Sequence, residues 1–242
     1  MGQYYFIHSA LPELKLGCPT RITFQEIIQL FYDNLSSYDL VVLRSLLTII
    51  DLTNVYYYLT NQPLDPRGKL SLSEIEESLL TFTHFPNYLI SYLEKYTETD
   101  ARIQNFCEVY VDYFQQESVN SSEFMRNYLK FEMNLRLYLA KMRATRVGKE
   151  YSISTLDEEY TVLDQFQELE RDLLQAVGNP LEEYQIIQKY RFDALQNMAD
   201  THSFNADGLF AYMMQWLIVE DDGCLEEERG NQKIHKLLEA SA

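Results

Sequence analysis

At 242 residues and 46% hydrophobic side chains, the chain is long enough for one large domain or two small ones and has ample material for a core. Its 20 Lys and Arg stand against 37 Asp and Glu, a formal net charge of −17. That balance argues against direct nucleic-acid binding, which needs a basic surface for phosphate contacts. The cysteines Cys18, Cys107 and Cys224 are far apart and not in CxxC pairs. Such spacing argues against a disulfide framework or a structural zinc site and reads as buried thiols.

Only 8 Gly and 6 Pro occur, and none of either lies between Asn87 and Val147, a run that strands and turns would interrupt. An all-α, multi-helix bundle, bilobed or funnel-like, is therefore expected. No uninterrupted apolar run of about 18 residues is present, and the opening MGQYYFIHS lacks the charged and long apolar regions of a secretory signal. A cytoplasmic chain without a transmembrane segment is the expectation.

In chain order, GQYYFIHSALPEL reads as a short extended N-terminal piece closed by Pro12, with Gly17 and Pro19 marking a second break. Thr23 and Glu26 form a capping-box pattern opening a helix to about Leu35, and a largely buried helix follows from Ser37 to about Thr60. In the loop NQPLDPRGKLS, Asp65-Pro66-Arg67-Gly68 fits a type I turn. Ser73 with Glu76 suggests the next capping box, and Pro86 suits the first turn of the helix after it. One helix is expected over about Thr99–Gln116, then another capped by Ser122 and ended by Gly148.

That last helix is the one basic stretch. Glu123–Glu150 carries seven Lys and Arg against three acids, while the rest of the chain carries 13 against 34. Phe124, Tyr128, Phe131, Leu135, Tyr138, Leu139 and Met142 make an apolar stripe at helical spacing, edged by Glu132, Arg136 and Arg143 on one side and Asn127 and Asn134 on the other. Beyond it, helices are expected over about Thr161–Val177, Leu181–Met198, a segment capped near Asn205, and about Leu225–Leu238. A single helical domain over residues 1–242 is the expectation, divisible into two sub-lobes of about 1–98 and 99–242. An 80-residue offset aligns Asn54, Val55, Tyr58 and Leu59 with Asn134, Leu135, Tyr138 and Leu139, which suggests a duplicated helical unit.

Neither GxxxxGK[ST], GxGxxG, GxSxG nor HExxH occurs. Asp221-Asp222-Gly223-Cys224-Leu225-Glu226 is the sharpest enzymatic candidate, since paired carboxylates can hold Mg²⁺. Its spacing is not that of a DDxxD motif, and a solvated acidic helix start explains it better.

Four stretches resemble a bacterial family associated with V-type (A-type) ATPases and, more remotely, the central-stalk component of those machines that is called d or C. They are YYFIHSALPEL at Tyr4–Leu14; Asp51 and Asn54 of IDLTNVYYYL with the LDPRGKLS turn; Asn134, Leu135, Arg143 and Gly148 of the basic helix; and the closing helix Phe204–Glu220. The chain is shorter than full central-stalk subunits, and Thr145 stands where that pattern has lysine.

The resemblance implies a non-catalytic subunit without cofactor or metal. It would sit peripherally at the inner face of the membrane and couple the rotor ring to the central axle. The expected partner-binding residues are Arg136, Arg143, Arg146 and Lys149 of the basic helix, with Asn134 and Arg67 of the matched motifs. The alternatives are a helical adaptor or scaffold unrelated to ATPases, and a metal-dependent all-α enzyme using Asp221, Asp222 and Glu226.

Overall fold

The computed structural model describes residues 4–119, 121–148, 166–201 and 204–223, with the side chains of residues 200 and 201 left aside. Among the described residues there are eleven helices and no strand, so the fold is all-α. The chain divides into two compact units, one formed by residues 1–35 with 138–242 and the other by residues 36–137.

In the first unit, α1 (Tyr5–Ala10) replaces the expected extended opening. The chain turns extended only at Leu11, which precedes a proline and is therefore disfavoured in the α conformation. The capping box Thr23/Glu26 starts α2 (Phe24–Asn34) as the spacing indicated. The last turns of α8 (Glu123–Arg146), α9 (Gln167–Gln175), α10 (Pro180–Thr201) and α11 (Ala206–Gly223) complete the unit. Gly178, at φ +93, supplies the left-handed turn between α9 and α10. Asn205 Oδ1 accepts from the Gly208 N–H at 3.0 Å and so caps α11 at the expected position.

Helix α11 is apolar nearly all round and buried accordingly. The irregular segment between α1 and α2 lies along it and satisfies its polar groups there. Tyr212 donates to the Pro12 carbonyl at 2.8 Å and Trp216 Nε1 to the Ile22 carbonyl at 3.0 Å. Thr20 donates to Glu220 at 2.8 Å, and the Gly17 N–H donates to Asp222 at 3.2 Å. Four fastenings to one helix let a stretch without regular structure hold a single path.

The second unit is built on α3 (Ser37–Leu59), capped by Ser36. Its length and a mean hydropathy of 1.4 would allow it to cross a membrane, a property the uninterrupted-run criterion overlooked because Asp39, Arg44 and Asp51 punctuate it. Here Val42, Leu43, Leu46, Ile50, Leu52 and Val55 are buried in the unit's core.

Helix α4 (Leu72–Thr81) starts two residues earlier than expected, because the capping box is Ser71 with Glu74 rather than Ser73 with Glu76. Pro86 sits at the N-cap of α5 (Asn87–Lys95). The single helix expected over Thr99–Gln116 is two, α6 (Thr99–Asn105) and α7 (Cys107–Ser118), reset at Phe106. The Phe106 ring is buried among Tyr56, Tyr92 and Tyr110, with centroids 5.2, 5.7 and 5.5 Å away. Tyr113 of α7 donates to the Ser45 and Leu46 carbonyls of α3 at 3.1 and 3.2 Å.

The units part at 35/36 and 137/138, not near 98/99. The physical reason is that α5 and α7 share one core: Tyr88 meets Tyr113, Tyr92 meets Phe106, and Lys95 pairs with Glu108 at 2.8 Å. Residues 36–98 therefore cannot be separated from the helices after them. Cys18 and Cys107 are exposed free thiols rather than buried ones. Cys18 lies in a turn of the irregular segment, its N–H on the Lys15 carbonyl, and Cys107 begins α7. Cys224, the start of the helix expected from Thr161 and the helix expected over Leu225–Leu238 fall outside the described residues.

Candidate functional site

In the second unit, the loop after α3 is clasped back onto that helix by Asp51 and Asn54, which lie one turn apart on one face. Asn54 Nδ2 donates to the Asp65 carbonyl at 2.9 Å, and its Oδ1 accepts from the Asp65 N–H at 2.7 Å. Its amide, fully buried, thus pairs with a peptide group as a neighbouring strand would. Asp51 Oδ1 accepts from the N–H groups of Lys69 (2.7 Å) and Leu70 (3.0 Å).

Between these anchors the Gly68 N–H closes the turn on the Asp65 carbonyl at 3.2 Å. Asp65 Oδ1 accepts from the Arg67 N–H at 2.9 Å, and the Arg67 guanidinium grips the same carboxylate with both Nε and Nη2. Glycine at position 68 is required by proximity rather than by backbone sign. A Cβ there would stand 2.3 Å from Asn54 Nδ2 and 3.0 Å from Asp51 Oδ1.

The electrostatics of the two acids differ in sign. Burial pushes the Asp51 carboxyl up, against the opposing pull of the Leu70 and Lys69 amides. Burial would raise Asp65 as well, but its bonds to Arg67 outweigh that and hold it below the ordinary carboxylate range. Both carboxylates are occupied by bonds of the loop they fasten. What the arrangement does is hold the Asp65–Gly68 turn rigidly on α3.

On the basic helix, two of the arginines expected at a docking edge are engaged within the chain. Arg136 Nε pairs with Glu132 at 2.7 Å, and its guanidinium lies over the Tyr110 and Phe114 rings, 5.3 and 5.6 Å from their centroids. Arg146 holds Glu183 of α10 through both carboxylate oxygens at 2.9 Å. Arg67 is bound to Asp65. Arg143 is exposed and has no ion pair among the described residues, while Lys149 lies outside them.

Asn134 is buried, and its Oδ1 has no hydrogen-bond partner among the described residues. The 80-residue offset therefore does not reproduce the Asn54 clasp. The first copy leaves its helix at Leu59, whereas α8 runs on through Arg146. Arg67, Asn134 and Arg136 belong to the second unit; Arg143 and Arg146 belong to the first.

Glu183 and the stripe Met125, Leu129 and Met133, all buried on α8, were not singled out from sequence. A half-buried glutamate 37 positions from its arginine leaves no local signal. The Met and Leu stripe did have one, its four-residue spacing. Among the Mg²⁺ candidates, Asp222 accepts the Gly17 N–H, and Glu226 lies outside the described residues.

These features define an all-helical protein of two compact units whose signature polar residues fasten its own loops and helices. The chain belongs to the family described as "Protein of unknown function (DUF2764)", whose model matches residues 1–241. It is similar to an uncharacterized protein of Chlamydia muridarum, 26% identical over 259 residues and 97% of each chain. A Chlamydia trachomatis serovar D counterpart is 25% identical over 260 residues, again 97% of each chain. A third, from Chlamydia pneumoniae, is 21% identical over 263 residues and 99% of each chain. No solved structure matches.

Proposed function

We propose that this chain is a non-catalytic helical subunit of a V-type ATPase, seated peripherally at the cytoplasmic face of the membrane, where it couples the rotor ring to the central axle. The supporting observation is where the residues that carry the resemblance fall. Asp51, Asn54, Asp65, Arg67 and Gly68 make one hydrogen-bonded clasp. The stretches Tyr4–Leu14 and Phe204–Glu220 join through the Tyr4 N–H on the Phe204 carbonyl, His8 on the Asn205 carbonyl and Tyr212 on the Pro12 carbonyl. Motif residues that specify an architecture are what a likeness between coupling subunits would retain, since such a part transmits torque through stiff packed helices and distributed polar contacts.

The test is reconstitution of the purified chain with rotor-ring and central-axle subunits of the same organism's V-type ATPase, read by size-exclusion chromatography. Co-elution at physiological salt, reduced by charge reversal at Arg143, is expected. Separate elution of the wild-type chain from both subunits refutes the proposal. Charge reversal at Arg146 also breaks an internal ion pair, so Arg143 is the cleaner probe.

A further inference from the structure

The first unit holds a cleft of about 580 Å³ walled by α1 with the extended segment after it, by α10 and by the first half of α11. That volume suits a small molecule. Its most buried polar side chain is Gln215, 5% exposed. Gln215 Nε2 donates to the Phe192 carbonyl at 3.2 Å and to Gln196 Oε1 at 3.1 Å. A backbone carbonyl can only accept, so the amide has one orientation, and its Oε1 has no hydrogen bond among the described residues. Neither bonded nor sealed off, that oxygen is an acceptor open to the cleft.

Two further donors of the wall are turned inward. Tyr212 gives its hydroxyl proton to the Pro12 carbonyl at 2.8 Å, and burial pushes its pKa up, which keeps the proton in place. His8 Nε2 meets the Asn205 carbonyl at 2.9 Å, so a neutral His8 ring has no N–H left for a ligand. What these bonds leave open is acceptors: Gln215 Oε1 in the depth and, at the mouth, the Glu13 carboxylate, 76% exposed.

The surrounding charge has the same sign. Residues 4–14 and 192–215, which supply every lining residue, contain Glu13, Asp193, Asp200 and Asp207 and no Lys or Arg. Of the bases that flank them, Lys15 pairs with Glu13 at 3.1 Å, an exposed contact that a bound cation can replace, and Arg191 donates to Gln188. Ala199 lies in the last turn of α10, where free carbonyls favour a cation. The opposite dipole end, at the start of α11, is answered within the chain by Asn205, which caps the Gly208 N–H, and by Asp207.

We infer that this cleft binds a small organic cation carrying several N–H donors, held by Gln215 Oε1 in the depth and Glu13 at the mouth, with Phe192 and Phe204 against its body. The inference does not depend on the ATPase reading.

The test uses the full chain with benzylguanidinium and its uncharged isostere benzylurea, titrated by saturation-transfer NMR. A hydrogen bond made by a charged group is worth roughly a factor of ten or more, so benzylguanidinium should bind at least about tenfold more tightly. Glu13→Gln should weaken it about threefold, as befits an exposed charge. Gln215→Leu should cost about tenfold. Because Gln215 also joins α11 to α10, Ala199→Phe, which puts a ring into the cleft, serves beside it and should abolish binding. Leu80→Ser, at an exposed leucine of the other unit, should leave binding unchanged. Thermal melts of the variants confirm retained folding.

Equal affinity for the two probes, or undiminished binding by the Ala199→Phe protein, overturns the inference. So does binding of a capped Gly-Arg-Gly peptide without binding of benzylguanidinium, which would assign the cleft to an arginine of a protein partner.

Discussion

Gly68→Ala is the most informative single substitution in the clasp. The added methyl would lie 2.3 Å from the Asn54 amide nitrogen, 3.0 Å from Asp51 Oδ1 and 3.4 Å from the Asp65 carbonyl oxygen. None of these neighbours can give way cheaply, because each already holds part of the loop at 2.7–3.0 Å. Overpacking costs about 1–3 kcal/mol, and displacing the buried Asn54 amide from its peptide partner costs a further 1–3 kcal/mol or so. The costs overlap, since movement of Asn54 relieves the clash, so about 2–3 kcal/mol of destabilisation is expected.

At roughly 2–4 °C per kcal/mol for a chain of this size, that lowers Tm by about 5–10 °C. Urea titrations followed by far-UV circular dichroism measure it directly. A double-mutant cycle with Asn54→Ala isolates the cause. Removing the amide opens space for the methyl, so adding Gly68→Ala to Asn54→Ala should cost at least about 1 kcal/mol less than adding it to the wild type. Additive effects, or a Gly68→Ala protein within about 0.5 kcal/mol of wild type, would refute the steric reasoning.

Two further outcomes follow from the charged groups. Asp65 is held below its ordinary carboxylate range, so its stabilisation is fully present above about pH 4 and is lost as pH falls through the lower folded value. The stability gap between wild type and Asp65→Asn should therefore be largest near neutrality and shrink on acidification. Asp51, raised by burial, has the opposite dependence and is common to both proteins. A gap independent of pH would show that the Arg67 bond does not act through the Asp65 charge.

Arg136→Met should destabilise by about 2 kcal/mol, because it takes the cation from the buried Glu132 carboxylate. That is less than the roughly 3–5 kcal/mol of a fully buried pair, since the Arg136 side chain is half-exposed. Arg143→Met should stay within about 0.5 kcal/mol. Denaturant midpoints that rank the two arginines the other way round would contradict the placement of Arg136.

The all-helical fold, the Thr23/Glu26 cap, the bounds of α3, the Asp65–Gly68 turn, the Ser122 and Asn205 caps and the Gly178 break were legible in the sequence. Each depends on residues within a few positions of one another, where capping, turn chemistry and helical periodicity act. Choosing Ser71 over Ser73 was beyond that reach: both have glutamate three residues on, and only the path of the clasped loop selects between them.

Long-range pairing decided the rest. The irregular segment between α1 and α2 is strapped down because α11, some 200 residues away, offers Tyr212, Trp216, Glu220 and Asp222 to it. The basic helix reads as a free cationic edge in one dimension. Folding spends Arg136 on Glu132 and the aromatic rings of α7, and Arg146 on Glu183, leaving Lys141 and Arg143 exposed. Local chemistry determines which elements form. Which of their charges remain available to a partner depends on side chains that approach only when distant helices pack.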